Sequence, residues 1–277
     1  MAIFQVSFLS NCLGRTVPIM VVLPTDKMTM PGMPQRDPDK PFKTLYLLHG
    51  IIGSCGDWLY GTRIQRWAEE HDLAVVMPSG DNAMYLDNPV DKYGEYIGRE
   101  LVEFTRRSFP LSHKKEDTFI GGLSMGGFGA LRNGLKYSGT FGAIVALSSA
   151  LVVDENLLVP VEHPIFPSDA MDYRQWIYGK DLKQALESDV NPSWLVKDMV
   201  AKGAEFPAIF MAVGESDFLL DKNEKFHALL VENRVEHTYI TGPGAHEWDF
   251  WDTYIKKAID WLPLEDASAG KSSGNVL

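Results

Sequence analysis

The sequence predicts an α/β protein in which helices cover both faces of a mostly parallel central sheet. Apolar runs such as TLYLLHG (44–50) and LAVVMPSG (73–80) are typical of strands buried on both faces. Segments with helical spacing alternate with these runs, as in repeated βαβ units. Near the N-terminus, SFLSN and VPIMVVLP (17–24) predict a hairpin that forms an antiparallel edge of the sheet.

The elements after this hairpin follow in a regular order. Residues 25–42 contain prolines, charges and three methionines, which predicts a surface loop. Residues 63–72 and 95–109 have helical spacing, and the second helix ends before Pro110. DTFIGGLS then predicts a strand, MGGFGALRNGLKY a helix and FGAIVALSSA (141–150) a further strand.

This alternation is interrupted at residues 151–205, which are irregular, rich in Pro, Asp and Trp, and contain short helical patches. We expect a cap-like insertion here, at the edge where the carboxyl ends of the strands form ligand sites. PAIFMAVGESD (207–217) and HTYITGPG predict the last strands, and NEKFHALLVENR and WDFWDTYIKKAIDWL predict the last helices. We therefore predict a single domain over residues 1–264 and a flexible tail over 265–277.

Composition limits the classes of function and partner. The chain has 277 residues, 45% of them hydrophobic, which is enough for a large core. A formal net charge of −11 argues against nucleic acid and anionic membranes as partners. The two isolated cysteines, Cys12 and Cys55, form no disulfide framework, and the N-terminus lacks a signal-peptide pattern. These features predict a cytoplasmic location and leave a homo-oligomer open.

The stretch GGLSMGGFGA (121–130) has three possible interpretations. A dinucleotide fingerprint is excluded because Arg132 occupies the position of its third glycine, and a P-loop is excluded because Gly127 occupies the position of its lysine. A flexible linker is excluded by context, because the apolar residues TFI precede the glycines and a helical pattern follows them.

The third interpretation is a turn that carries a nucleophile. Residues 122–126 read G-x-S-x-G between a predicted strand and a predicted helix, a pattern that presents the Ser124 side chain at the edge of the sheet. Small residues two positions before and after the serine let the flanking backbone pass closely. The helix that begins at Met125 directs its N–H groups towards developing negative charge.

A serine nucleophile needs a base, and the base needs an orienting acid. His246 lies in a glycine-rich loop after the last predicted strand and is the favoured base, whereas His227 lies within a helical pattern and His237 begins a strand. Asp217 lies in the turn after the preceding strand and is the favoured acid. Glu215 is the second choice for the acid, and Asp221 fits a helix N-cap instead.

The oxyanion hole and the pocket have further candidates. The N–H of Met125 is one expected oxyanion donor, and the N–H of Ile51, in the loop after the first buried strand, is the other. His49 precedes this loop and is interpreted as a structural residue. Aromatic and methionine side chains on loops at the same edge are candidates for substrate contact: Trp58, Met84, Tyr85, Trp176, Phe218 and Trp248.

Taken together, LYLLHGIIGSCGDW, VVMPSG, TFIGGLSMGGFGA, GESDFLLDKN and GAHEWDFW resemble the esterase D-like branch of the α/β-hydrolase superfamily, and particularly small bacterial tributyrin esterases. The resemblance extends from Leu45 to Trp251. It implies a serine carboxylesterase that acts on short-chain acyl esters through an acyl-enzyme, without a metal or organic cofactor. It also assigns the triad and oxyanion roles to the same five positions, Ser124, Asp217, His246, Ile51 and Met125.

The same family pattern includes S-formylglutathione hydrolases, feruloyl esterases and acetylxylan esterases, which remain alternatives. Family members of the first type usually have Ser-Gly at the oxyanion loop, where this chain has His49-Gly50. A catalytically inactive binding module on the same fold is an alternative of a different class. The intact set of triad residues argues against it, because a decayed enzyme is expected to lose at least one of them.

Overall fold

A computed structural model describes residues 1–27, 31–32, 36–163 and 167–264. Within these ranges, eight strands form one sheet. Alternating hydrophobicity or continuous apolar runs form these strands at the predicted places, except that the first strand begins at Ala2, before the predicted SFLSN. The strands are β1 (Ala2–Ser10), β2 (Arg15–Leu23), β3 (Lys43–Leu48), β4 (Leu73–Pro78), β5 (Thr118–Leu123), β6 (Ala143–Leu147), β7 (Ala208–Gly214) and β8 (Thr238–Gly242).

The strand order is β1-β2-β4-β3-β5-β6-β7-β8. The first two strands form an antiparallel hairpin, and β2 also pairs antiparallel with β4. Every other neighbouring pair is parallel, so the predicted antiparallel edge and parallel centre are both present. The loops after β3, β5, β7 and β8 therefore meet at one edge, and these loops carry the predicted site residues.

Helices cover both faces of this sheet. Their bounds are α1 (Asp57–Gly61), α2 (Ile64–Glu70), α3 (Tyr93–Glu95), α4 (Leu101–Ser108), α5 (Met125–Lys136), α6 (Met171–Tyr178), α7 (Leu182–Leu186), α8 (Pro192–Ala201), α9 (Leu220–Glu232) and α10 (Trp248–Trp261). The apolar sides of α1, α2 and α10 fill one core layer. Those of α4, α5, α8 and α9 fill the other.

Several elements differ from the sequence expectation. The helix expected over 95–109 begins at Tyr93 and contains a π-helical turn at Tyr96–Glu100. The short helix α1 has no sequence signal of its own, because five residues span too few turns to show a period. The segment 151–205, by contrast, contains short helices as expected, namely α6, α7 and α8.

Parts of two sequence predictions fall outside the described residues. These are the tail at 265–277 and six positions of the loop at 25–42. No helix in the described ranges combines the length and the apolar character needed to cross a membrane.

Candidate active site

Ser124 occupies a tight turn between β5 and α5. Its backbone has φ 53° and ψ −117°, a region that non-glycine residues rarely adopt. Two hydrogen bonds hold this conformation: Ser124 N–H donates to the Leu147 carbonyl at 2.9 Å, and Ala150 N–H donates to the Ser124 carbonyl at 3.0 Å. Such strain persists only where surrounding contacts fix it, and it is common at functional residues.

The glycines that flank the serine provide space. A Cβ at Gly122 would lie 2.4 Å from the Gly126 carbonyl oxygen, and a Cβ at Gly126 would lie 2.3 Å from the Leu48 carbonyl oxygen. Both neighbours are backbone atoms, which cannot rotate away. Close approach of three backbone segments therefore requires glycine at both positions, while the strained torsion falls on Ser124 itself.

The structure brings Ser124, His246 and Asp217 together from three separate loops. His246 Nε2 lies 3.0 Å from Ser124 Oγ. On the other side of the ring, His246 Nδ1 lies 3.1 Å from Asp217 Oδ1 and 3.0 Å from Oδ2. This is the geometry of a nucleophile, a base and an acid that orients the base.

The environment of Asp217 keeps it ionised. Burial alone would raise the pKa of this carboxyl, but hydrogen bonds from His246, the Leu219 N–H and the Ser148 hydroxyl outweigh burial and lower the pKa below its ordinary value. The Leu219 N–H donates to Asp217 Oδ1 at 2.8 Å. An ionised carboxylate at this position favours the His246 tautomer that carries its proton on Nδ1.

Ser148 belongs to the same hydrogen-bond network and was missed in the sequence. Trp251 Nε1–H donates to Ser148 Oγ at 3.1 Å, and the Ser148 hydroxyl in turn hydrogen-bonds Asp217. Ser148 is fully buried with φ 46°. The only sequence signal was its place directly after the strand next to β5. A serine in a strand-end turn is too common to be chosen from the sequence alone.

The rejected candidates lie elsewhere. Glu215 and Asp221 have exposed side chains. His227 Nδ1 lies 2.7 Å from His237 Nε2, and the His227 ring stacks on Tyr239, so these two histidines pair with each other where α9 packs on β8. Burial therefore distinguishes Asp217 from the neighbouring carboxyls, and geometry distinguishes His246 from the other two histidines.

The two predicted oxyanion donors come from separate segments of the chain. Ile51 and Met125 line the same cavity as Ser124. Met125 is the first residue of α5, so its N–H has no acceptor within the helix. The Gly50 backbone approaches the serine closely, because a Cβ there would lie 3.6 Å from Ser124 Cβ. Both segments thus border the space beside Ser124 Oγ in which an ester oxygen would bind.

The cavity in front of Ser124 has a volume of about 490 Å³. Met84, Phe218 and Trp248 line it, as predicted. The Phe218 ring lies 4.5 Å from the His246 ring, and its side chain is 69% exposed. These apolar side chains line the same cavity as Ser124 and His246.

For three predicted contact residues the structure corrects the expectation. Trp58 is only 1% exposed and donates from Nε1 to the Leu48 carbonyl at 2.9 Å, so it belongs to the core beneath the site. Tyr85 is fully buried and packs behind the oxyanion loop. Trp176 lies on α6, packs against Tyr173 and is not a lining residue of the cavity. Aromatic residue type alone did not show which way these side chains point.

The segment 151–205 contributes one wall of the cavity, including Val152, Leu157 and Tyr178. The buried Arg174 holds this wall together, because its Nη1 donates to the carbonyls of Asn156, Leu157 and Val159 at 3.2, 3.0 and 2.8 Å. An ion pair between Lys222 and Asp154 ties the same wall to α9.

Comparison with known proteins identifies the family of this chain. The family model described as "Putative esterase" matches residues 10–262. An acetyl esterase of Caldicellulosiruptor saccharolyticus is 41% identical over 265 residues, which cover 95% of this chain and 98% of that protein. The chain belongs to this esterase family. The protein is a serine hydrolase of carboxylic esters.

Solved structures extend the comparison to the fold of this esterase. The fluorophosphonate-binding serine hydrolase F of Staphylococcus aureus, with substrate bound, is 32% identical with a TM-score of 0.81 over 94% of this chain and 98% of that one. S-formylglutathione hydrolase from the same organism, as apoenzyme, is 30% identical with a TM-score of 0.79 over the same shares. The esterase therefore has the α/β-hydrolase fold, as the sequence resemblance implied.

Proposed function

We propose that the esterase hydrolyses short-chain acyl esters through an acyl-enzyme formed on Ser124. The observation that carries this proposal is the continuous hydrogen-bond chain Ser124–His246–Asp217 at the end of an apolar cavity. A serine hydroxyl becomes a useful nucleophile when a neighbouring imidazole takes its proton.

The proposed reaction has two halves. His246 Nε2 accepts the Ser124 proton as Oγ attacks the ester carbonyl, and Asp217 stabilises the resulting imidazolium. The N–H groups of Ile51 and Met125 stabilise the oxyanion. The imidazolium then protonates the leaving alcohol, and the acyl group stays on Ser124. In the second half, His246 activates a water that releases the acid.

The similarity to an acetyl esterase over nearly the whole chain supports a small acyl group. A cavity of about 490 Å³ is much larger than an acetyl group needs, so most of its volume is available to the leaving alcohol. A second candidate is a thioesterase of the S-formylglutathione hydrolase type, supported by the 30% identical structural neighbour.

One panel of substrates tests the proposal. We expect p-nitrophenyl acetate and butyrate to be hydrolysed with a higher kcat/KM than long-chain esters, S-formylglutathione or feruloyl esters. Preference for S-formylglutathione would instead establish the thioesterase. A fluorophosphonate probe should label the wild-type protein and leave Ser124→Ala unlabelled. Absence of labelling in folded wild-type protein would contradict the enzyme assignment and favour a binding module.

A further inference from the structure

The buried side chain of His49 connects the loop after β4 to the loop after β3. Gly80 N–H donates to His49 Nε2 at 2.8 Å, and His49 Nδ1 lies 2.6 Å from the Gly50 carbonyl oxygen. An amide N–H can only donate and a carbonyl can only accept, so Nε2 carries the lone pair and Nδ1 carries the proton. Burial lowers the pKa of His49, which supports this neutral tautomer.

The Nδ1–H bond fixes the orientation of one peptide group. The Gly50 carbonyl accepts from His49 Nδ1 and, at 3.2 Å, from Gly53 N–H. In a trans peptide the C=O and the following N–H point in opposite directions, and the described chain has no cis peptide. Holding the Gly50 carbonyl therefore directs the Ile51 N–H to the other side of the peptide plane. That N–H belongs to the residue that lines the cavity with Ser124.

Residues of the segment 79–85 hydrogen-bond both His49 and the loop that follows it. The Tyr85 hydroxyl donates to the His49 carbonyl at 3.0 Å, and Ile52 N–H donates to Asn82 Oδ1 at 2.7 Å. Ile52 has φ 61°, a conformation that is unfavourable for a β-branched residue. The segment itself contains three non-glycine residues with positive φ, namely Asp81, Met84 and Tyr85. Two strained loops are thus tied to each other beside the reacting serine.

We propose that His49 is a positioning residue, which acts through the Gly50–Ile51 peptide to aim the Ile51 N–H at the oxyanion. The inference rests on the proposed acyl-enzyme function, in which Ile51 is one of two donors. The two ring nitrogens of His49 have separate roles. Nδ1–H holds the Gly50 carbonyl, and Nε2 anchors the ring to Gly80. The space for the ring comes from Gly53, where a Cβ would lie 2.9 Å from Nδ1.

Two conservative variants separate these roles. His49→Gln places an acceptor near the position of Nε2 and lacks the donor at Nδ1, whereas His49→Asn places a donor near Nδ1 and lacks the acceptor. Each variant loses one hydrogen bond, so urea unfolding should show similar losses of stability. We expect His49→Gln to lower kcat by roughly tenfold to a hundredfold. This is less than the about 10²–10³ that follows removal of an oxyanion donor, because the Ile51 N–H is misaligned and not removed.

The KM for p-nitrophenyl acetate should change little in His49→Gln, because the lost interaction belongs to the transition state. His49→Asn should retain a larger kcat than His49→Gln. A trifluoromethyl ketone, which forms an oxyanion when Ser124 adds to it, should bind His49→Gln more weakly by the same factor as kcat/KM falls. His113→Gln, an exposed histidine before β5, serves as the control for the substitution itself.

Equal kcat values for the two His49 variants, or a loss below about twofold in His49→Gln, would overturn the inference. If neither variant folds, Asn82→Ala tests the same loop, because Asn82 is half-buried and its removal frees Ile52 N–H. A kcat for Asn82→Ala within about twofold of wild type would then count against the positioning role. Turnover retained by Ser124→Ala would instead refute the acyl-enzyme, which is a distinct failure.

Discussion

Asp217→Asn gives the sharpest test of the proposed triad. The carboxylate side chain is fully buried and accepts hydrogen bonds on both oxygens. Leu219 N–H donates to Oδ1 at 2.8 Å, so an asparagine would keep its carbonyl oxygen there and place its NH₂ group at Oδ2. That NH₂ group would lie about 3.0 Å from His246 Nδ1 and donate to it. The imidazole would then carry its proton on Nε2, facing Ser124, where it cannot act as a base.

The same substitution in a serine protease triad lowers kcat by about 10⁴. The corresponding loss of transition-state stabilisation is about 5.4 kcal/mol, at about 1.36 kcal/mol per tenfold change. We expect a fall of this size in kcat for p-nitrophenyl acetate, with KM changed much less. Glu215→Gln, two residues away and exposed, is the matched control and should retain wild-type kcat. A loss below about tenfold in folded Asp217→Asn would refute the assignment of the acid.

Three further predictions concern the stability of the fold and the segment 151–205. Gly126→Ala should destabilise the fold by at least about 1–3 kcal/mol in urea unfolding, because the new Cβ would lie 2.3 Å from the Leu48 carbonyl oxygen. Gly139→Ala is the control and should be nearly neutral, because a Cβ at Gly139 has no neighbouring atom within 4 Å. Because folding lowers the pKa of Asp217, its ionised carboxylate stabilises the fold above the ordinary pKa of about 3.9. This contribution should disappear as the pH falls below that value. Asp217→Asn should therefore lack this part of the loss of stability in acid. Tyr173→Phe removes the hydroxyl through which α6 hydrogen-bonds the Asn82 carbonyl, and it should raise KM more than it lowers kcat. The exposed Tyr60→Phe should change neither constant. Equal KM values for the two variants would contradict a role for this hydrogen bond in substrate binding.

Local sequence was enough to predict much of this protein. Continuous apolar runs predicted the parallel strands, since strands buried on both faces need them, and the structure has β3, β4 and β5 in those places. The G-x-S-x-G pattern between a strand and a helix identified Ser124, because such a turn needs glycine on both sides of a strained residue. Chain order then narrowed the base and the acid to a few candidates on loops at one edge of the sheet.

Tertiary structure determined the direction and the burial of individual side chains. Among Glu215, Asp217 and Asp221, only Asp217 is buried against His246, and a sequence does not record which of three neighbouring carboxyls turns inward. The directions of Trp58 and Tyr85 are set in the same way, by packing against distant strands and loops.

The network around the triad is likewise a product of the fold. Ser148 reaches Asp217 because β6 lies beside β7 in the sheet, and His49 reaches Gly80 because β3 lies beside β4. These contacts join residues from separate parts of the chain. Residue type and spacing determined which groups were available for the chemistry. Only the pairing of strands determined which of them meet, because hydrogen bonds act over about 3 Å and depend on the direction of each side chain.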